Sequence, residues 1–196
     1  MGKPKAKPED VIYRLRISIV GSEPEIWRRV DVPGQATLSD LHGIIQRTMN
    51  WENYHLHQFE IHDELYMPQA PVELNLEMAE SADETEACLI DLDLAAGSSF
   101  EYVYDFGDWW VHEIRVEEVL ERDPQHRYPV CHDGEMAGPP EDVGGLWGYY
   151  EMLEALEDPE HPEHEMYTDW IEEWDPEDFD AEAVNKRLMR IKLAGA

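Results

Sequence analysis

The feature that most constrains the fold is a two-residue alternation through residues 11–20 that resumes at 26–32, after Gly21-Ser22. Tyr13, Leu15, Ile17 and Ile19 fall on one side of the first run, and Arg14, Arg16 and Ser18 on the other, the period of a half-buried strand. In the second run Ile26, Arg28, Val30 and Val32 alternate with Trp27 and Arg29 until Pro33-Gly34 stops it. The pair predicts an antiparallel hairpin. The period then changes: Leu38, Leu41, Ile44, Ile45 and Met49 recur at helical spacing behind Thr37, which can cap the helix together with Asp40. Such a helix needs a sheet to lie on, and Trp51 closes its apolar stripe.

Residues 55–66 alternate again, with His55, His57, Phe59 and Ile61 on one face and Gln58, Glu60 and His62 on the other. Residues 67–86 read as a long acidic loop, 87–90 as a short strand and 91–96 as a helical turn stopped by Gly97. Residues 100–104 and 109–120 read as strands joined by a tight turn, Asp105-Phe106-Gly107-Asp108, in which Gly permits a positive φ and Asp tolerates one. Beyond residue 121 comes a Pro- and Gly-rich loop and then three helical stretches, each expected to bury one face. The last should start at Asp175-Pro176 and be the best formed, since Lys186, Arg187, Arg190 and Lys192 suit its negative end. The expectation is a single α+β domain over 11–196: a β-grasp (ubiquitin-like) mixed sheet with one packed helix, plus a C-terminal helical extension. Residues 11–121 form the sheet part, 122–148 the loop and 149–193 helices packed on it; residues 1–10 are expected to be a flexible basic N-terminus.

Charge narrows the partners. The chain carries 15 basic and 45 acidic residues, net −30, with +2 over residues 1–47, −36 over 48–185 and +4 over 186–196. That field repels phosphate backbones, and the cluster Arg14, Arg16, Arg28 and Arg29 reads as a solvated strand face, so direct nucleic-acid binding is not expected. No apolar run approaches the roughly 18–20 residues of a membrane span, and the start lacks a secretory core, so a soluble cytoplasmic protein is expected. Cys88 and Cys131 are too few for a disulfide framework. The acidity suits a non-enzymatic interaction module that meets a basic protein partner, or a set of carboxylates that imitate DNA phosphates on a DNA-binding protein.

Candidate chemistry concentrates at a few positions. Asp105 and Asp108 at a strand corner, His112 on the returning strand, and His55 and His57 from a neighbouring strand form an inventory for a divalent metal and metal-assisted hydrolysis. The competing reading is that both aspartates bond their own turn and that His112 is a core histidine. Cys131, followed by His132 and Asp133, is a candidate nucleophile or a small buried hydrophobe. Pro139-Pro140-Glu141-Asp142-Val143-Gly144-Gly145 reads as a structural clamp, without the spacing of a phosphate cradle. Trp109, Trp110, Trp147, Tyr149, Tyr150, Trp170 and Trp174 should be mostly core. The working expectation is that the aspartate corner, the imidazole strand and the Cys131 loop converge in space.

These blocks carry a resemblance. Leu38-Ser39-Asp40-Leu41-His42 leading to Met49-Asn50-Trp51, His55-Leu56-His57-Gln58-Phe59, Tyr104-Asp105-Phe106-Gly107-Asp108-Trp109 with His112 and Glu113, and Cys131, Gly134, Pro139-Pro140-Glu141-Asp142, Gly144-Gly145 and Gly148-Tyr149 resemble the plasmid pRiA4b ORF-3-like family. The resemblance runs through most of the chain. It implies a protein without an established biochemical activity and an association with mobile elements, since similar proteins travel as passengers of insertion sequences. A resolvase label attached to such passengers is not carried over, because no recombinase nucleophile constellation or basic arm is present.

Overall fold

The structure, a computed structural model, describes residues 10–69, 81–171 and 174–194. The opening hairpin forms as its alternation predicts: β1 (Val11–Ile19) pairs antiparallel with β2 (Trp27–Pro33), Leu15 opposite Val30. Thr37 then caps α1 (Leu38–Met49) through a reciprocal pair of bonds. Its hydroxyl accepts from the Asp40 amide at 3.0 Å, and Asp40 Oδ2 accepts from the Thr37 amide at 3.0 Å. Leu38, Leu41, Ile44 and Ile45 are buried with Leu15, Ile17, Val30 and Val32, so the helix covers one face of the sheet.

Residues 55–66 are a hairpin rather than one strand: β3 (His57–Ile61) turns through His62 and Asp63 into β4 (Glu64–Met67). Both turn residues have positive φ, 53° and 64°, the mirror-image turn that glycine or asparagine usually signals and that this sequence builds from His-Asp. β5 (Ala82–Asp83) pairs parallel with β4 inside the stretch expected to be loop; residues 70–80 of that stretch lie outside the described residues. The expected strand at 87–90 reduces to a bridge between Thr37 and Cys88 followed by a 3₁₀ turn at Leu89–Asp91. β6 (Ser99–Tyr104) and β7 (Trp110–Glu121) form the predicted hairpin. The supposed loop at 122–148 contains another strand, β8 (Val130–Glu135), paired with β2.

These eight strands make one sheet, in the order β5-β4-β3-β6-β7-β1-β2-β8, antiparallel throughout except at β4 and β5. The chain is therefore mixed α+β, with four α-helices among the described residues. The tail holds α2 (Gly145–Glu157), α3 (His164–Ile171) and α4 (Ala181–Leu188). Two tail expectations are corrected. α3 buries no residue, and α4 starts at Asp180, whose carboxylate accepts from the Glu182 amide at 2.7 Å, while Asp175 closes its own turn on Glu177. With 8 residues against 13, α4 is also shorter than α2. No helix among the described residues is long and apolar enough to cross a membrane. Residues 1–9, expected to be flexible, lie outside the described residues.

The arginine cluster splits. Arg14, Arg16 and Arg29 lie on the open face in ion pairs with Asp31, Glu118, Glu25, Glu117 and Asp133. Arg28 instead faces inward and is only 2% exposed, as its register with Ile26 and Val30 requires. At the far edge, Asn185 of α4 bonds β8 along its free side: its Oδ1 accepts from the Cys131 amide at 2.8 Å and its Nδ2 donates to the Cys131 carbonyl at 2.7 Å.

Because the Thr37 hydroxyl supplies the arm of the α1 cap that accepts from the Asp40 amide, while the other arm uses only the Thr37 main chain, Thr37→Ala should lower stability by about 1 kcal/mol. The expected readout is a lower urea midpoint at an unchanged m-value.

Candidate functional site

The site forms where three loops meet at the C-terminal end of α1. In the first, Asn50 and Asn53 both take left-handed backbone, and the chain between α1 and β3 is held by Tyr104, whose hydroxyl accepts from the Tyr54 amide at 3.1 Å. The second is the β6–β7 turn. Here Asp105 (φ 59°), one of the turn residues expected to tolerate it, and Trp109 (φ 57°) adopt the left-handed conformation, while Gly107, which permits it, does not. Asp105 Oδ1 accepts from the Gly107 amide at 2.8 Å, and a Cβ on Gly107 would sit 3.2 Å from that oxygen. The glycine thus makes room for the carboxylate. For Trp109 the left-handed backbone costs about 1 kcal/mol or more, strain that gathers where a geometry is over-determined by its surroundings.

The third loop, residues 138–145, is clamped on the other two by close backbone approach. A Cβ on Gly138 would lie 2.0 Å from the Met49 carbonyl oxygen, and one on Gly145 would lie 2.2 Å from that of Asp108. Trp51 Nε1 donates to the Pro139 carbonyl at 2.8 Å, and Asp108 Oδ2 accepts from the Gly144 amide at 3.0 Å. Glu141 takes two donors, the Tyr104 hydroxyl at 2.6 Å and the Glu52 amide at 2.6 Å. Burial, and then the Glu141 carboxylate, push the Tyr104 phenol well above its ordinary pKa. Asp142, at φ 61°, is left pointing to the junction.

There His55 stands between two carboxylates. Its Nδ1 is 3.6 Å from Asp105 Oδ2 and its Nε2 is 3.0 Å from Asp142 Oδ1, the latter without the alignment of a hydrogen bond. One donor atom from each of the three residues lies within 4.8 Å of the others. Metal–ligand bonds of about 2.0–2.2 Å put paired ligand atoms roughly 3–4 Å apart, so a small closure brings this set around one ion.

Behind this junction is a buried imidazole stack. His42 of α1 and His57 of β3 lie with ring centroids 3.5 Å apart and planes 2° from parallel. His57 Nε2 donates to Glu84, which is itself buried, at 2.7 Å. His42 Nε2 donates to Asn53 Oδ1 at 2.8 Å, so in the neutral ring Nδ1 accepts from the Tyr102 hydroxyl at 2.8 Å. Burial, with the neighbouring His57, pushes the His42 pKa down to about 3.

The sequence candidates therefore separate. His55 and Asp105 meet in the cluster, and Asp142, read as part of a clamp, joins them. Asp105 also bonds its own turn at the Gly107 amide, as the competing reading expects, whereas Asp108 bonds not its own turn but the Gly144 amide of the neighbouring loop. His57 is tied to Glu84 beneath the cluster. His112 is fully buried against Trp51 and Tyr102 with Nδ1 donating to the Trp110 carbonyl, and burial pushes its pKa down to about 4. Cys131 does not converge: it lies on β8, four strands from β6, roughly 19 Å at the usual strand spacing, and burial raises its thiol to about 11. A buried thiol of that kind is a poor nucleophile. Glu84 was not singled out by sequence, and His42 and Tyr104 entered only as members of the blocks that carry the resemblance, without a role. Only His42 gives a signal, a polar residue within the apolar face of α1. Several aromatics expected in the core are exposed near the junction, among them Trp109 and Trp147, the latter 76% accessible.

Keeping His42 and His112 neutral has a pH consequence. Both pKa values are lowered from about 6.5, so the unfolded chain binds more protons below that pH and folding loses stability as pH falls from about 6.5 towards 3. The loss should approach about 1.4 kcal/mol per pH unit for each ring. Urea midpoints measured across this range should fall less steeply in His42→Phe than in the wild type, with His112 supplying the remaining histidine contribution.

The chain matches the family described as plasmid pRiA4b ORF-3-like protein over residues 11–183. It is 34% identical over 181 residues to the uncharacterized protein y4hQ of Sinorhizobium fredii (strain NBRC 101917 / NGR234), covering 89% of this chain and 86% of that protein. The crystal structure of a protein of unknown function, MM3350 from Methanosarcina mazei Go1, superposes with a TM-score of 0.79 at 40% identity, covering 88% of this chain and 97% of that one. The blocks that carried the resemblance in the sequence are largely those that build the three-loop junction, and the chain belongs to the plasmid pRiA4b ORF-3-like family.

Proposed function

We propose that this chain binds one divalent transition-metal ion through His55, Asp105 and Asp142 and acts as a metal-dependent hydrolase. The observation that carries the reading is the approach of one imidazole nitrogen and two carboxylate oxygens, from three separate loops, to within 4.8 Å of one another. Nitrogen with carboxylate suits zinc, manganese or iron, and two carboxylates neutralise a divalent charge. Three protein ligands leave positions for water and substrate, and a bound water is acidified towards neutral pH. Asp142 is exposed and Asp105 buried, so an ion held by this set would sit over an anchored base with its remaining positions open to solvent. His57, Asp108 and His112, from the same candidate inventory, then support the centre.

The test is metal analysis and calorimetric titration of untagged protein with Zn²⁺ and Mn²⁺. One ion per chain is expected, with affinity at least tenfold lower in His55→Ala and retained in Asp108→Asn. Failure of the wild type to take up either ion overturns the proposal.

A second reading, an acidic module for a basic protein partner, is favoured by the exposed Tyr54, Leu56, Trp109 and Trp147 within a segment of net charge −36. Exposed aromatics beside carboxylates suit a basic surface with an apolar anchor. Such a partner should be captured at low salt and released near 0.5 M, where screening lengths shrink to about 4 Å; capture indifferent to salt counts against it. The same proposal places the protein in the cytoplasm, supported by two free cysteines, and types the sheet as β-grasp-like, supported by the order of hairpin, covering helix and further strands. Against the ubiquitin arrangement, both neighbours of β1 run antiparallel to it.

A further inference from the structure

Arg28 is a second anomaly, away from the three-loop junction. A buried cation normally has an anionic partner, because an unpaired charge loses its hydration without compensation. Arg28 has none among the described residues. Its Nε donates to the Thr48 carbonyl at 3.1 Å, and its Nη1 to the carbonyls of Trp27 at 2.7 Å and Glu135 at 2.8 Å. Nη2 carries no hydrogen bond to the described chain. The C-terminal end of α1 offers only about half a negative charge, and Arg187 already shares it, donating from Nε to the Arg47 carbonyl at 2.9 Å.

Both guanidiniums line one cavity of about 140 Å³ between α1, the 138–145 loop and α4, several times the roughly 30 Å³ that one water occupies. Its walls include Asn50, Trp174 and Phe179, with the Arg28 guanidinium 4.8 Å from the Phe179 ring centre. Its exposed rim carries Asp175, Asp178 and Asp180. Asp175 and Asp180 each spend one oxygen on a turn amide, while Asp178 has no hydrogen bond through its side chain among the described residues. The cavity is therefore bipolar: a guanidinium with no carboxylate partner among the described residues inside, carboxylates at the mouth.

We infer that this cavity binds a small zwitterion, a free amino acid of glycine or alanine size, with its carboxylate on Arg28 and Arg187 and its ammonium towards Asp178. A simple anion meets the rim acids unfavourably, and a simple cation leaves Arg28 unpaired. A molecule with both charges a few ångströms apart satisfies both ends. Planar guanidinium forks suit a carboxylate, and both N–H groups of Arg28 Nη2 are unused among the described residues.

The experiment is calorimetric titration of the full chain with L-alanine, acetate and methylamine, in EDTA so that chelation at the His55 cluster does not contribute. L-alanine should bind at least tenfold more tightly than either half-ligand. Arg187→Gln should weaken L-alanine at least tenfold, and Asp178→Asn should weaken L-alanine while leaving acetate unchanged or improved. Arg187 is partly exposed and its variant is expected to fold, which circular dichroism checks, so the test does not depend on an Arg28 variant. Absence of L-alanine binding, affinity no better than acetate, or indifference to Arg187→Gln overturns the inference.

Discussion

The three-loop junction depends on two places where backbones touch without a side chain between them. Gly138 lies against the last turn of α1 and Gly145 against the end of the β6–β7 turn, each so close that a single methyl group would overlap a carbonyl oxygen. These contacts fix both ends of the loop that carries Glu141 and Asp142. Between them, Trp51, Tyr104 and the Glu52 amide hold the loop in register. Close packing of this kind tolerates no added volume, because the neighbours on both sides are main chain.

The junction is layered. Its outer layer, His55 with Asp105 and Asp142, is charged and partly wet; its inner layer, His42 stacked on His57 with Glu84 beneath, is dry. A neutral His42 gives the inner layer a fixed pattern of donors and acceptors running from Asn53 to Tyr102. That pattern ties the loop after α1 to the centre of the sheet. The outer ligand types are held on a rigid base, the arrangement a binding centre requires.

What sequence made legible was local. The β1–β2 hairpin and the α1 cap follow from alternation and a Thr37–Asp40 pair three residues apart, each readable in a short window. His55 and Asp105 were recognisable as ligand types at plausible spacing. Their union with Asp142 was not, because it rests on contacts between residues 36 to 89 positions apart in sequence, which the glycine approaches make possible. Glu84 gave no signal, since its burial follows from where β5 docks. β8 was hidden because Cys-His-Asp-Gly has no apolar alternation. It is an edge strand paired on one side only, and Gly134 within it is kept small by the Phe179 ring and the Trp27 carbonyl, each 2.7 Å from where a Cβ would stand. Arg28 was placed correctly on the apolar side of β2 by its period, yet grouped with solvated arginines by its charge.

The bonding of Asn185 to both main-chain groups of Cys131 bears on how molecules of this protein meet. The side-chain amide presents the same donor and acceptor that a ninth strand would, so the outermost ladder is partly occupied from within the chain. An unprotected edge is where separate copies zip together into aggregates. Here a helix carried by the same polypeptide sits in that place, and the sheet ends by design of its own tail rather than by exhaustion of its strands.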